Sequence, residues 1–163
     1  MEKQDDGVEF ISPPHGIKNK VSLGGPNAIT DELLARTDRN LIINFGGMYR
    51  EWLVDDLRVM EDGLKSLERG MATDAPPLVQ LRDCAHELRG MGGTFDFSLV
   101  SQIGDQIYRL TANAKSVDGA LIEALTVNLD ALKLVAAKNL KGDGGAEGQG
   151  IMAGLQKVYA KFA

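Results

Sequence analysis

CAHELRGMGGTFDFSLV, residues 84–100 of a 163-residue chain, sets a good helix-forming run against three glycines, Gly90, Gly92 and Gly93. Glycine inside a helix costs about 1 kcal/mol relative to alanine, so the glycines and their neighbours His86 and Arg89 ask for a common reason. Just upstream, Asp74 is placed to cap a helix, and Pro76-Pro77 suits its first turn, where a missing N–H is tolerated. On a projection of about 100° per residue, Leu78, Leu81, Cys84, Ala85, Leu88 and Met91 lie on the arc away from His86. Arg82, Asp83, Arg89, Gly90 and Gly93 fall within roughly 60° of it. The spacing therefore predicts a helix with an apolar inner face and an exposed histidine, flanked by a cation and by bare backbone.

The same period continues on both sides. Tyr49, Leu53, Leu57, Met60, Leu64 and Leu67 step by three and four with charges on the other face, predicting a long amphipathic helix that ends at Gly70. A weaker helical pattern precedes it over residues 29–45 and stops at Gly46-Gly47. After the glycines, Ser98 is a candidate cap for a helix whose stripe is Leu99, Ile103, Ile107 and Leu110. Ser116 or Asp118 can start the next, with Leu121, Ile122, Leu125, Leu129, Leu132 and Val135 inward and an end near Gly142. No stretch alternates with period two. The pattern predicts an all-α fold, an antiparallel four-helix bundle with additional N-terminal and C-terminal helices.

Four segments follow from this. Residues 1–28, punctuated by Pro13-Pro14-His15-Gly16 and Gly24-Gly25-Pro26, read as an irregular arm in which His15 is a loop residue. Residues 29–140 form the helical bundle, and residues 141–150, KGDGGAEGQG, read as a glycine-rich linker. Residues 151–163 form an amphipathic helix with Ile151, Leu155, Val158, Tyr159 and Phe162 on its apolar face. That helix packs on the bundle or serves docking or dimerisation, and the pattern favours packing. The linker glycines are a poor phosphate cradle, because no strand precedes them and Asp143 and Glu147 sit among them.

Composition narrows the functional classes. A net charge of -5 speaks against nucleic acid as a partner. The acidic opening MEKQDDGVEF is unlike a secretory leader, and no run approaches the roughly 18 apolar residues of a membrane span, so a cytoplasmic, soluble protein without a membrane partner is expected. Cys84 is the only cysteine and His15 and His86 the only histidines, which excludes an internal disulfide and a cysteine- or histidine-rich metal site. A core histidine would lie on the apolar arc, and His86 does not. An imidazole in water is largely neutral near pH 7 and keeps the lone pair a nucleophile needs. Arg89 is near enough to place a guanidinium beside an anion held at the ring, and Gly90 and Gly93 leave backbone over which another protein's active site can close. That combination suits a phosphoryl acceptor.

The run Ala85-His86-Glu87-Leu88-Arg89-Gly90, with Gly93 behind it and residues 99–110 on the next helix, resembles the histidine-containing phosphotransfer (HPt) domain of bacterial multistep phosphorelays. That family's signature is alanine, histidine, any residue, leucine, lysine or arginine, glycine. Phe45-Gly46-Gly47-Met48-Tyr49-Arg50-Glu51 is similar to the family's turn into its first long bundle helix, and the resemblance spans residues 29–140. It implies that His86 is the phosphoacceptor, that Arg89 supports the phosphoryl group, and that Gly90 and Gly93 give a partner access. It implies as partners the receiver domains of response regulators and of a hybrid sensor histidine kinase. It also implies a monomer with no cofactor of its own, the Mg²⁺ being held by the receiver. Such a protein is a relay and not an autonomous enzyme. Two positions depart from the family pattern. Asp96 stands where many members have glycine, and Tyr108 stands where several have a glutamine that hydrogen-bonds near the histidine; a phenol can donate the same kind of hydrogen bond, so Tyr108 is a candidate for orienting the ring or covering it.

Three rivals remain at this level. A kinase dimerisation domain also carries a phosphorylatable histidine and an acidic neighbour such as Glu87, but it builds its bundle from two chains, whereas this chain supplies enough helices alone. A helical adaptor that never carries phosphate would make Asp96 and Tyr108 marks of a degenerate HPt domain. A hydrolase using His86 as base lacks a nucleophile on the same stripe.

Overall fold

The computed structural model describes residues 30–162, so the predicted arm over residues 1–28, with His15, lies outside the described residues. The chain divides into two units, Met1–Asp38 and Arg39–Ala163. Of the first, the described part is the opening of a helix, where the Thr30 hydroxyl oxygen accepts the Leu33 N–H at 3.2 Å as an N-cap. The second unit is helical throughout its described elements. They are α1 (Asp31–Lys65, which begins in the first unit), α2 (Pro76–Met91), a 3-10 turn (Gly92–Phe95), α3 (Ser98–Ala112), α4 (Gly119–Lys138) and α5 (Gly145–Tyr159). No strand occurs among the described residues. α2 packs along α3, α3 against α4, and α5 against both α3 and α4.

The predicted stripes are the core. Tyr49, Leu53, Leu57, Met60 and Leu67 bury together with Leu78, Leu81, Ala85 and Leu88 of α2 and with Leu99, Ile103, Ile107 and Leu110 of α3. Leu121, Leu125, Leu129, Leu132 and Val135 of α4 complete the cluster, and Leu64 and Ile122 pack against it half-buried. Each fully buried side chain of this size contributes about 1.5–3 kcal/mol. Met91 departs from its expected place: it is 39% exposed. It sits at the edge of the apolar arc, where α2 gives way to the 3-10 turn.

Gly46-Gly47 does not end a helix. α1 runs straight through both glycines. An added Cβ would meet nothing within 4 Å at either position, so they serve no close approach. Their cost, about 1 kcal/mol each, is smaller than what burial of Tyr49 and Leu53 in the following turns returns. α1 also stops at Lys65, short of Gly70.

The helix starts follow the sequence in one case and correct it in two. Asp118 caps α4, its carboxylate accepting the Leu121 N–H at 2.8 Å. At α2 the N-cap is Ala75, without a side-chain cap, because Pro76 and Pro77 have already removed the first two N–H donors. At α3 Ser98 lies inside the first turn. The Leu99 N–H instead finds the carbonyl of Gly142, at 3.0 Å, from the far side of α4. α4 ends at Lys138, with Asn139 taking the left-handed conformation (φ 52°) as C-cap.

The linker read over residues 141–150 is a correction as well. Only its first part is non-helical, since α5 starts at Gly145. Gly142 N–H donates to Asp96 O at 2.7 Å, Lys141 Nζ lies 3.6 Å from the centroid of the Phe97 ring, and the Asp143 carboxylate accepts the Gly145 N–H at 2.9 Å. Lys138 pairs with Glu147 across the break between α4 and α5. These contacts hold in place a stretch whose composition alone argues for a free coil. α5 thus begins before the expected residue 151 and is docked. Leu155 is buried, and the buried Gln106 side chain donates Nε2–H to Leu155 O at 2.7 Å. Phe162 lies past the helix end and is 38% exposed.

Candidate functional site

Why three glycines cluster is answered by their surroundings, which differ. Gly92 is buried where the end of α2 meets α3. A Cβ there would sit 2.7 Å from Ser101 Oγ, 2.8 Å from Phe97 O and 2.9 Å from Ser101 N. Gly93 N–H donates to Ser101 Oγ at 2.9 Å, so the same serine fastens the turn from α3. Gly104 makes the second close approach: its added Cβ would lie 3.0 Å from Arg89 N and 3.1 Å from Ala85 O. That lets α3 run against the backbone of α2 directly behind His86. Gly90 and Gly93 are exposed, and at Gly90 an added Cβ would meet nothing within 4 Å.

His86 is exposed on α2, as the projection predicts. One turn on, Arg89 places Nη2 3.5 Å from His86 Nδ1. A guanidinium has only donors, so it presents N–H groups and positive charge to this side of the ring. α3 contributes the opposite wall through the spacing i, i+3, i+4: Asp105, Tyr108 and Arg109. Tyr108 meets His86 ring to ring, with centroids 5.5 Å apart and planes tilted by 47°. Its face also lies under the Arg89 guanidinium, 4.7 Å from Cζ to centroid. The two rings meet at a tilt, so Tyr108 covers the imidazole with its ring. Tyr108 confines the ring and the cation by its face.

The motif-based reading missed Asp105 and Arg109. Asp105 Oδ1 lies 3.4 Å from Arg89 Nη1, and Oδ2 lies 2.8 Å from Arg109 Nε. The signal was available in the i, i+4 spacing of Asp105 and Arg109 around Tyr108, but nothing in the sequence alone said that this face meets His86.

Asp96 occupies the left-handed region (φ 64°) at the exit of the 3-10 turn. This is the conformation that glycine adopts without steric cost and that aspartate tolerates better than most residues. Aspartate thus holds a position that glycine would take at lower steric cost. Behind the turn, Tyr49 stacks on Phe95 with centroids 4.7 Å apart and packs on Phe97 at 5.4 Å. Burial, with Asp56 adding to it, pushes the Tyr49 phenol up to about 12.

On the α1 side of α2 the field is acidic. Tyr49, Trp52, Asp55, Asp56, Glu87, Leu88 and Met91 line a cleft of about 310 Å³. Burial, then Glu87 and Asp55, holds the Asp56 carboxyl above its ordinary value. Burial is also the main cause that pushes the Cys84 thiol up to about 11, with Asp56, Glu87 and Asp83 contributing, so the thiol is a poor nucleophile at neutral pH. Among the described residues no group of three or more His, Cys, Asp and Glu side chains forms a metal-binding cluster. No helix among them is long and apolar enough to cross a membrane.

Comparison with known proteins finds no matching family model, no matching curated protein and no matching solved structure.

Proposed function

We propose that the chain is a phosphorelay intermediate of the HPt class, in which α1 to α4 act as an antiparallel four-helix bundle and His86 carries the phosphoryl group. The observation that carries this reading is an exposed imidazole with a guanidinium 3.5 Å from Nδ1, beside the open backbone of Gly90. The ring nitrogen bearing the lone pair attacks the phosphorus of a phospho-aspartate on a receiver domain. An N–P bond forms, the P–O bond to the aspartyl carboxylate breaks, and the carboxylate leaves with the electron pair. The other ring nitrogen then gives up its proton to water. Transfer onward to a second receiver aspartate reverses these steps. Such chemistry depends on in-line positioning and on neutralising the equatorial oxygens. Arg89 supplies charge from this chain, Tyr108 restricts the ring, and Gly90 and Gly93 give the receiver access. The receiver brings the Mg²⁺, and the chain works as a monomer without autonomous catalysis, in the cytoplasm. Its partners are the receiver domains of response regulators and of a hybrid sensor histidine kinase.

The test is transfer from pre-phosphorylated receiver domains with Mg²⁺, read by intact mass, with His86→Ala alongside. A gain of one phosphoryl, labile to acid, stable to base and absent in the variant, is expected. No transfer from any of several receivers to a folded, helical protein would refute the reading. The second reading, a degenerate HPt acting as a helical adaptor, is favoured by Phe45, Met48 and Trp52 on α1, which are 40%, 43% and 42% exposed. Under it, His86→Ala leaves signalling unchanged.

A further inference from the structure

We infer that Asp105 is a positioning residue that divides the charge of Arg89 between a resting contact and a phosphoryl group on His86; the inference rests on the relay reading above. The Arg89 guanidinium has two terminal nitrogens with two different acceptors. Nη1 faces Asp105 Oδ1 at 3.4 Å, and Nη2 faces His86 Nδ1 at 3.5 Å. Both contacts are long, which is the geometry of a group shared between two sites. Asp105 is itself shared, and its shorter contact, 2.8 Å, is to Arg109 Nε. Arg109 therefore keeps Asp105 paired when Arg89 leaves it. The face of Tyr108 beneath Arg89 gives the guanidinium a surface on which to shift without losing its packing.

A phosphoryl group brings between one and two negative charges and three acceptor oxygens. Placed on the His86 ring, it competes directly with the single charge of Asp105 for Arg89. Asp105 also repels that phosphoryl. Both effects make Asp105 a brake on how tightly the chain holds its phosphoryl group, and so a device that keeps transfer reversible. The bonds made and broken at phosphorus are those given above. Of the charged groups, Arg89 of α2 stands beside the ring, Asp105 and Arg109 of α3 connect to it through Arg89, and Arg82 and Asp83 lie one turn earlier on α2, while Asp55 and Asp56 of α1 line a cleft with the neighbouring Glu87.

Two readouts on the full chain test this. The first is the titration of the His86 ring followed by NMR in the unphosphorylated protein. The second is the equilibrium partition of phosphoryl between His86 and a receiver domain with Mg²⁺. Asp105→Asn removes a negative charge from the Arg89 pair beside the ring and is expected to lower the titration midpoint relative to the parent chain. It is expected to move the partition toward His86 by about two- to five-fold, the range set by a partly exposed ion pair. Asp105→Glu restores both. Arg109→Gln, which leaves Asp105 wholly to Arg89, shifts both in the opposite direction and carries the test should Asp105→Asn fail to fold. A lowered midpoint with an unchanged partition overturns the inference and leaves the relay standing. No phosphoryl on His86 in the folded parent chain overturns both.

Discussion

Replacing Gly92 by alanine puts two physical effects in opposition at one atom. Gly92 has right-handed helical angles, φ -56° and ψ -43°, so backbone propensity alone favours alanine by about 1 kcal/mol. Against this, the new Cβ meets Ser101 Oγ at 2.7 Å, Phe97 O at 2.8 Å and Ser101 N at 2.9 Å, where carbon contacts are comfortable at about 3.5–4.0 Å. Two of the three neighbours are backbone atoms and cannot swing aside. Relief requires moving the start of α3 away from α2, which strains the Gly93 N–H to Ser101 Oγ hydrogen bond of 2.9 Å. Overpacking of this kind costs about 1–3 kcal/mol, occasionally more, and loss of a hydrogen bond about 1 kcal/mol. The expected net is a destabilisation of about 2 kcal/mol. In urea unfolding followed by helical circular dichroism, that is a fall in midpoint of about 1 M. Gly90→Ala, two residues away with open space around its Cβ, carries the propensity effect alone and is expected to raise the midpoint by up to about 0.5 M. If Gly92→Ala also raised the midpoint, the assignment of Gly92 to packing and Gly90 to open access would be wrong.

Asp96→Gly removes a side chain from a left-handed position (φ 64°) and is expected to stabilise the fold by about 0.5–1 kcal/mol; a loss of stability in the same urea assay would show that the aspartate side chain contributes more than its backbone strain costs. Asp56 gives a prediction with a pH sign. Its carboxyl is held above the usual value, so its favourable contribution is complete below the unfolded-chain value of about 3.9 and is lost as pH rises through the higher folded value. Asp56→Asn is therefore expected to stabilise at pH 7 by less than about 1 kcal/mol, after allowance for solvent screening, and to give no gain at pH 3.5. An equal gain at both pH values would contradict the charge argument.

The sequence made the core legible because burial on helices writes a period of three and four, and that period survives every local exception. Tyr49 to Leu67, Leu99 to Leu110 and Leu121 to Val135 bury the side chains that their spacing selects, with only Leu64 and Ile122 left half-buried at the edge. The exposed His86 was legible for the same reason, since it lies off the stripe. What could not be read were features that depend on distant partners. Gly46 and Gly47 look like a helix stop, yet nothing around them enforces one. Residues 141–144 look like free coil, but Asp96, Phe97 and Leu99 hold them. Gly104 looked unremarkable on its stripe until α2 lay 3.0 Å from its missing Cβ. Asp105 needed the α2–α3 crossing to bring it to Arg89.

The hydrogen bonds that join Gly142 to Asp96 and to Leu99 also bear on the order of assembly. A ribosome delivers α2, the turn and α3 long before it delivers Gly142. During synthesis the first turn of α3 lacks its remote acceptor, and the turn behind His86 stays open. The histidine-bearing hairpin is thus expected to close only after Gly142 emerges. In refolding kinetics, Gly142→Ala, which strains a left-handed position (φ 57°), should then speed unfolding without slowing folding, and slowed folding would contradict a late closure.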